Sequence, residues 1–279
     1  MREDASPALR EFSIHHLRRG VQPEPRVDSV TVEEPLEIRV GRETLAVTMR
    51  TPGHDGELAA GFLSAEGLAR RPEDILRMEH CRDTVSPEEE GNVLLVHLRE
   101  PVALDRARRL HWTSSSCGLC GKGSIEAVMR RFPPVTSRMR IDPLVLSGLP
   151  ERLKPGQTTF EQTGGLHAAG VFDGRGEPLA IREDVGRHNA VDKAIGRLLL
   201  DGRLPLGEAI LFVSGRASFE IVQKAVAAGI PAVAAVSAPS SLAVELARES
   251  RVLLAGFARG GAFNLYSGED RVAPRAAAR

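Results

Sequence analysis

Residues Ala209–Gly260 read AILFVSGRASFEIVQKAVAAGIPAVAAVSAPSSLAVELARESRVLLAGFARG. Short apolar runs alternate here with segments of helical periodicity, which predicts a strand, a helix, a strand, a helix and a strand. The runs AILFV, AVAAV and VLLAGF hold no polar residue, as is typical of parallel strands that helices cover on both faces. This stretch alone therefore predicts an α/β fold built on a parallel sheet.

The segments before this stretch extend the same domain. TGGLHAAGVF and EPLAIRED flank the turn DGRG (Asp173–Gly176), which predicts an antiparallel hairpin. Helices are predicted for VGRHNAVDKAIGRLLLDG (Val185–Gly202) and for the shorter SIEAVMRRF (Ser124–Phe132), which Pro133 stops. We therefore expect an α/β domain over residues 113–268, with the order helix, hairpin, helix and three parallel strands.

The first part of the chain has a different pattern. Short alternating runs within Arg26–Gly53 predict β-strands, and HDGELAAGFLSAEGLA (His54–Ala69) predicts a helix. These elements indicate a smaller α+β domain over residues 23–112. Residues 1–22 are predicted to be a flexible tail and residues 269–279 a frayed one.

Composition and charge argue against several classes of function. Lys plus Arg and Asp plus Glu each number 37 in 279 residues, so no global charge favours nucleic acid or a membrane surface. No apolar run approaches the ~20 residues that cross a bilayer, and the first residues lack the apolar core of a secretory signal. Three cysteines do not make a disulfide framework, so we expect a cytoplasmic protein.

Small residues follow each of the three predicted parallel strands. The segments are VSGRAS (Val213–Ser218), VSAPSS (Val236–Ser241) and GFARGG (Gly256–Gly261). Turn geometry alone accounts for one such loop, but three of them at the carboxyl edge of a sheet favour a phosphate-rich ligand. Arg216 and Arg259 are the candidate phosphate-binding side chains. The predicted binding residues after the first of these strands are Ser214, Gly215 and Arg216.

Two of the three cysteines form a CxxC motif in SSSCGLCGKGSIEA (Ser114–Ala127). A structural zinc site needs four ligands, yet Cys81 lies far away in sequence, and the H-x-E of a zinc deaminase is missing. A thioredoxin-like redox pair needs a preceding strand, which LHWTSSS does not predict. The favoured chemistry is a nucleophilic thiolate whose pKa is lowered by Lys122 and by the start of the following helix.

Two histidines leave their roles open. His167 lies on the predicted hairpin, where it fits either a satisfied core histidine or a catalytic one. His188 begins a predicted helix beside Arg187, so it fits either helix capping or the lining of a ligand site. The role of Cys81 is open as well.

Six segments in order resemble the formate dehydrogenase accessory sulfurtransferase family, FdhD. They are SSSCGLCGKGSIEA, TGGLHAAG, EDVGRHNAVDKAIG, SGRASFEIVQKAVAAGIP, VSAPSSLAVELA and GFARGGAFNLYSG. The resemblance extends from about Val30 to Gly268. It implies a cytidine-deaminase-like, three-layer C-terminal domain with a mixed sheet of hairpin and parallel strands, without the zinc ligands.

The resemblance also implies a function. Members take sulfur as a persulfide from a cysteine desulfurase and deliver it to the molybdenum cofactor, Mo-bis(molybdopterin guanine dinucleotide), before its insertion into formate dehydrogenase. The persulfide cysteine corresponds to Cys117, and Cys120 assists the transfer. The cofactor-binding loop corresponds to Phe257, Ala258, Arg259, Gly260, Gly261 and Ala262. A homodimer is implied, and a permanently bound metal is not.

Two other functions stay open at this point. The chain could bind the finished cofactor and hand it over as a chaperone, without sulfur chemistry. It could also be a zinc-dependent, deaminase-like hydrolase, in which case the purified protein would contain stoichiometric zinc. The sequence does not identify the formate dehydrogenase that is served, or whether its metal is molybdenum or tungsten.

Overall fold

The computed structural model describes residues 8–41, 43–81, 90–100 and 121–274, with only the backbone for residues 121–124. Its strands are β1 (Leu9–His16), β2 (Glu24–Thr31), β3 (Glu34–Val40), β4 (Glu43–Arg50), β5 (Ile75–His80), β6 (Val93–Leu98), β7 (His167–Asp173), β8 (Pro178–Asp184), β9 (Ala209–Val213), β10 (Ala232–Ala235), β11 (Leu253–Arg259) and β12 (Ala262–Ser267). Its helices are α1 (Asp55–Ala65), α2 (Gly121–Arg131), α3 (Pro143–Leu153), α4 (Thr158–Thr163), α5 (Arg187–Leu200), α6 (Phe219–Ala227) and α7 (Ser241–Glu249). None of these helices is long and apolar enough to cross a bilayer.

A six-stranded mixed sheet forms the centre of the second half, in the order β12-β11-β10-β9-β7-β8. β9, β10 and β11 are parallel, and β7 and β8 form an antiparallel hairpin beside β9. The predicted hairpin and three parallel strands are therefore confirmed. β12, which runs antiparallel to β11, was not predicted, and only its first residue, Ala262, belongs to the predicted cofactor-binding loop.

Helices cover both faces of this sheet and give it three layers. Leu211 and Val213 of β9 belong to the core formed with α2, α5, α6 and α7, whereas Ile210 and Phe212 belong to the core formed with α3. Successive side chains of a strand point to opposite faces of the sheet. Because helices cover both faces, the side chains on each face of β9 must be apolar. Burial of each large apolar side chain stabilises the fold by about 1.5–3 kcal/mol.

Helix α1 joins the two halves of the protein. It covers one face of a four-stranded sheet of order β4-β3-β6-β5, where Leu58 and Leu63 pack with Leu36 of β3. Its other side lies along α5, and Gly61 and Gly196 stand at the contact, where the two backbones meet directly. The smaller sheet is thereby attached to the helical layer of the larger one.

Ion pairs strengthen the attachment of α1. The Arg182 guanidinium on β8 donates a hydrogen bond to the Glu57 carboxylate, with 2.8 Å between Nη2 and Oε1. Burial alone would raise the pKa of Glu57, but hydrogen bonds from Arg182 and His54 outweigh burial and hold that pKa at about 2. At the end of β4, Arg50 donates two hydrogen bonds of 3.0 Å to Asp55.

Of the flexible tail predicted for residues 1–22, residues 1–7 lie outside the described residues, and the rest differs from the prediction. Leu9–His16 forms β1, which pairs with β2 along its whole length. The Thr31 hydroxyl donates to the Thr163 hydroxyl at 3.0 Å, which attaches this hairpin to α4. Apolar periodicity does not reveal β1, because it is polar and mostly exposed and is held by its backbone ladder.

Of the frayed tail predicted for residues 269–279, residues 275–279 lie outside the described residues, and residues 269–274 differ from the prediction. Glu269–Arg271 forms a short 3-10 turn, and Val272 forms a β-bridge with Ile141. Arg271 is buried, with 7% of its surface exposed. Its guanidinium donates to the carbonyl oxygens of Arg251, Ser137 and Val135. These hydrogen bonds to backbone carbonyl oxygens hold the 3-10 turn in place, and no sequence pattern predicts them.

Candidate functional site

The carboxyl ends of the parallel strands meet at one edge of the six-stranded sheet. Val213, the last residue of β9, pairs with Ala235, the last residue of β10, and β11 lies parallel to β10 on its other side. β8 ends and β7 begins at this same edge, because β7 is antiparallel to both β8 and β9. The edge therefore gathers the residues that follow β8, β9, β10 and β11, together with His167 at the start of β7.

Backbone hydrogen bonds join the loops of this edge into one surface. The Ser237 N–H donates to the Gly215 carbonyl at 3.3 Å, and the Ser240 N–H donates to the Ala217 carbonyl at 3.0 Å. The Phe257 N–H donates to the Ser237 carbonyl at 3.2 Å. The three segments that the sequence predicted to meet here are thus in contact.

The segment Phe257–Ala262 forms the tip of the β11–β12 hairpin. The sequence had predicted a loop after the last parallel strand at this place. Gly260 and Gly261 have φ angles of 59° and 76°, as a two-residue turn between the paired Arg259 and Ala262 requires. A Cβ on either glycine would meet no atom within 4 Å. The backbone of the tip is therefore open to a ligand.

Phe257 has a strained backbone at the base of this tip. Its φ angle is 54°, which is unusual for a bulky residue and is found most often at functional sites. The Arg259 guanidinium lies 5.9 Å from the centroid of the Phe257 ring, and the Arg259 side chain is exposed. Ala258 between them is fully buried, so the two side chains on either side form the accessible part of the tip.

The three predicted binding residues after β9 have different environments. The Ser214 hydroxyl accepts a hydrogen bond from the Ala168 N–H at 2.9 Å, so it extends the ladder between β7 and β9. A Cβ on Gly215 would lie 3.4 Å from His167 Nδ1. Arg216 is exposed, and its guanidinium makes no ion pair with any residue the structure describes. Arg216 is thus the residue of the three whose side chain is available to an anion.

Two neutral histidines lie beside Arg187 at this edge. Burial and the Arg187 guanidinium lower the pKa of His167 below its usual value. Burial, Arg187 and then Lys224 lower the pKa of His188 to about 4. Both imidazoles are therefore uncharged at pH 7. The structure places both histidines at the carboxyl edge of the six-stranded sheet. The sequence had left open whether they lie there.

The Ser218 hydroxyl connects His188 to Glu220. Ser218 Oγ lies 3.1 Å from His188 Nε2, and Glu220 Oε2 lies 3.7 Å from the same nitrogen. Burial would raise the pKa of Glu220, but hydrogen bonds from its own N–H and from Ser218 hold it below its usual value. Sequence reasoning missed Ser218 and Glu220, since a serine before a helix signals only a cap.

Residues 31–273 match the model of the FdhD/NarQ family. The chain belongs to the FdhD/NarQ family. It is 52% identical over 259 residues to a Streptomyces avermitilis protein named sulfur carrier protein FdhD, and the match covers 91% of this chain and 92% of that protein. A protein of the same name from Anaeromyxobacter dehalogenans is 48% identical, with 88% of each chain covered.

A crystal structure has the same overall fold as this FdhD/NarQ chain. It is that of a candidate formate dehydrogenase accessory protein from Desulfotalea psychrophila, with a TM-score of 0.75 and 22% sequence identity. The likeness covers 96% of this chain and 100% of that chain. The predicted α/β fold class is thus confirmed.

A buried ion pair supports the edge from below in this FdhD/NarQ chain. Lys193 Nζ lies 2.7 Å from Asp184 Oδ2, and the two side chains are 1% and 0% exposed. Lys193 also donates to the Thr51 carbonyl at 2.8 Å, and Asp184 accepts from Gly186 and Asn189. Because losing one partner of such a pair leaves a buried charge, these contacts fix the first turn of α5 against the end of β4.

A second buried pair uses Asp192, the residue of α5 immediately before Lys193. Lys224 on α6 donates to both carboxylate oxygens of Asp192 at 2.7 and 2.8 Å. Burial raises the pKa of Asp192 to about 6, although the Lys224 ammonium opposes that rise. The pair links α5 to α6 and places a positive charge near His188.

Cys117 and Cys120 of this FdhD/NarQ chain lie outside the described residues. Helix α2 is described from Gly121, the residue that follows Cys120 in the sequence, and Val128 of α2 is buried in the main core. Cys81 lies in the other half, where its N–H donates to the Val93 carbonyl at 2.9 Å. Among the residues that the structure describes, no group of three or more His, Cys, Asp or Glu side chains is arranged to hold a metal.

Proposed function

We propose that this chain is a sulfur carrier protein required for formate dehydrogenase activity. The observation that carries the proposal is the CxxC motif of Cys117 and Cys120, which directly precedes a helix in a chain 52% identical to a named sulfur carrier protein. The N-terminus of a helix stabilises a thiolate, and thiolates are the nucleophiles of sulfur transfer. The proposed activity is that of a sulfurtransferase with a persulfide intermediate.

In the proposed loading step, the Cys117 thiolate attacks the terminal sulfur of a persulfide on a cysteine desulfurase. A sulfur–sulfur bond forms at Cys117 while the bond in the donor breaks, and the donor cysteine leaves as a thiolate. The rate of such an exchange depends on the thiolate fraction and on access. No electrons are gained or lost overall, since one persulfide replaces another.

In the proposed delivery step, Cys120 releases the sulfur. Its thiolate attacks the inner sulfur at Cys117, a disulfide forms between the two cysteines, and the terminal sulfur leaves at the sulfide level toward the molybdenum of the bound cofactor. The two electrons that reduce this sulfur come from the two cysteines. A cellular thiol reductant then restores the CxxC pair for the next cycle.

The carboxyl edge of the sheet is the proposed binding surface for the molybdenum cofactor, which is the substrate here. Open backbone at Gly260 and Gly261 and the exposed guanidinium groups of Arg216 and Arg259 suit the phosphates of a guanine dinucleotide. The aromatic ring of Phe257 adds an apolar contact. The edge thus offers the mixture of apolar surface and convergent polar groups that a large cofactor needs.

We also propose the setting in which the chain works. A cysteine desulfurase is the donor and formate dehydrogenase the client, and the site of action is the cytoplasm, where cysteines stay reduced. The chain acts as a homodimer.

The strand order β12-β11-β10-β9-β7-β8 with helices on both faces supports the cytidine-deaminase-like arrangement of this half.

Two substitutions separate the sulfur carrier from a chaperone that only binds the finished cofactor. In cells that lack their own family member, Cys117→Ala is expected to leave no formate dehydrogenase activity above background, and Arg259→Ala is expected to reduce activity about tenfold or more, since it loses a charge-assisted contact. The matched control is Arg203→Ala, which removes an exposed arginine away from the edge and keeps full activity. Full activity of Cys117→Ala with loss in Arg259→Ala would establish the chaperone instead.

A further inference from the structure

The β1–β2 hairpin carries an unusual amount of exposed apolar surface. Residues 9–31 hold five of the ten large apolar side chains that are exposed among the described residues, namely Phe12, Leu17, Val21, Val27 and Val30. The hairpin forms a two-stranded sheet of its own, and such a sheet is marginally stable in water without a third strand or a helix to pack on. α4 packs against β2 at the base of the hairpin, whereas β1 is mostly exposed. The β1 side of the hairpin therefore calls for a partner.

The outer edge of β1 is open to a further strand. The Val32 N–H donates to the Ala8 carbonyl at 2.9 Å, and along an antiparallel ladder hydrogen-bonded pairs alternate with pairs that are not hydrogen-bonded. Counting along the register from this bond, the N–H and C=O groups of Glu11, Ser13 and His15 point away from β2. Neither a proline nor a bulge interrupts β1. Such an edge is a template for pairing with another strand.

The outer edge of β2 is blocked by a proline. Pro25 lies opposite His15 in the register, and because the backbone groups of His15 point away from β2, the ring nitrogen of Pro25 points away from β1. This nitrogen has no hydrogen to donate, and a proline on an edge strand hinders further pairing. Of the two edges of the hairpin, β1 is therefore the one that can accept a strand.

The sequence of β1 is complementary to itself in one antiparallel register. With Ser13 opposite Ser13 of a second copy, Glu11 lies opposite the second copy's His15, and Phe12 lies opposite its Ile14. Each of these pairs occurs twice under two-fold symmetry. Acid–base and apolar pairs at directly opposite positions stabilise a ladder. Centring the pairing on Glu11 or on His15 instead would place like groups opposite each other.

We propose that β1 pairs antiparallel with β1 of a second copy of this chain, about a two-fold axis at Ser13. The two hairpins then form one four-stranded sheet, which has the number of strands that stability in water requires. The outward N–H and C=O groups of Glu11, Ser13 and His15 gain partners, and Phe12 and Ile14 of both copies form one apolar strip. This inference rests on the homodimer of the proposed function and names its interface.

Sedimentation equilibrium of the full-length chain over a range of concentrations tests the interface. Ser13→Pro removes an N–H that points away from β2, so the hairpin keeps its own ladder. It is expected to weaken dimerisation about tenfold or more, because one hydrogen bond from each copy is lost at the centre of the pairing. Val27→Pro is the matched control, since Val27 lies opposite Ser13 and its N–H points to the outer edge of β2. This control is expected to dimerise like the wild type.

An exchange of charges tests the register. His15→Glu places a carboxylate opposite Glu11 of the second copy and is expected to weaken dimerisation about fivefold, since like charges directly opposite each other are destabilising. Adding Glu11→Lys to this variant restores opposite charges and is expected to recover the dimerisation of the wild type. Absence of this recovery would show that Glu11 does not face His15, which contradicts the register.

Hydrogen exchange of the peptide that covers residues 9–16 identifies the occupant of the edge. Its amides are expected to exchange more slowly as the concentration of the wild type rises, and not in Ser13→Pro. Protection that appears only when a cysteine desulfurase is added would assign the edge to that protein and overturn the proposal.

Two outcomes of the sedimentation experiment separate the interface from the homodimer. If Ser13→Pro dimerises as tightly as Val27→Pro, the interface is wrong and the proposed homodimer stands. If the wild type sediments as a monomer at every concentration, both are overturned. Neither outcome bears on sulfur uptake at Cys117, which mass spectrometry measures on either state.

Discussion

Replacing Cys117 by alanine is expected to abolish the uptake of sulfur. After incubation with a cysteine desulfurase and cysteine, the wild-type protein gains one sulfur atom that a reductant removes, and Cys117→Ala gains none. The reason is chemical, because the persulfide forms on the thiolate that attacks the donor and alanine has no such group. Intact-mass spectrometry before and after reduction measures the result.

The other two cysteines supply the controls for this experiment. Cys81→Ala is expected to load like the wild type, since Cys81 lies in the four-stranded-sheet half next to β5. Cys120→Ala is expected to load but to release its sulfur slowly, because it lacks the thiolate of the delivery step. Equal loading of Cys117→Ala and the wild type would show that another cysteine carries the sulfur.

A single added methyl group at Gly196 is expected to have the largest effect on stability. A Cβ at this position on α5 would lie 1.8 Å from the Glu57 carbonyl oxygen and 2.6 Å from the Gly61 nitrogen. These atoms belong to the backbone of α1 and cannot move without moving the helix. Gly196→Ala is therefore expected to lower the free energy of unfolding by about 3 kcal/mol, at the upper end of overpacking effects.

Urea denaturation measures this effect, and two further variants define its cause. Gly61→Ala should destabilise similarly, because its Cβ would lie 2.0 Å from the Asp192 carbonyl oxygen. Gly148→Ala on α3 is the matched control, since a Cβ there meets no atom within 4 Å, and better helix propensity should stabilise it by up to about 1 kcal/mol. If Gly196→Ala unfolds at the same urea concentration as the wild type, α1 and α5 are not in the close contact described.

The sequence predicted the larger sheet because its strands leave a distinct pattern. Ala209–Val213 and Leu253–Arg259 are apolar on both faces of the sheet, and helical segments separate them. The spacing of the apolar residues and the lack of polar residues in the strands together indicate a parallel sheet that helices cover on both faces. The same reasoning failed for Leu9–His16, which is polar and is held as a strand by its pairing with β2. It also failed for Ala262–Ser267, which follows the Gly–Gly turn.

The candidate site was predictable in part. Topology alone places the residues after β9, β10 and β11 at one edge, so Arg216 and Arg259 could be assigned to it before the structure was known. The cluster of His167, Arg187 and Glu220 could not, because it depends on how β7, α5 and α6 meet in space. The contact between Gly61 and Gly196 was equally hidden, since a glycine within a helix signals no partner in the sequence.

The most direct measurement of sulfur transfer follows a labelled sulfur atom from the protein to the cofactor. The protein is loaded with radioactive sulfur at Cys117, freed from the donor, and mixed with the molybdenum cofactor and inactive formate dehydrogenase. We predict that the label leaves the protein and is recovered with the cofactor extracted from the enzyme, in proportion to the activity gained. Full activation of the enzyme while the label stays on the protein would contradict the account.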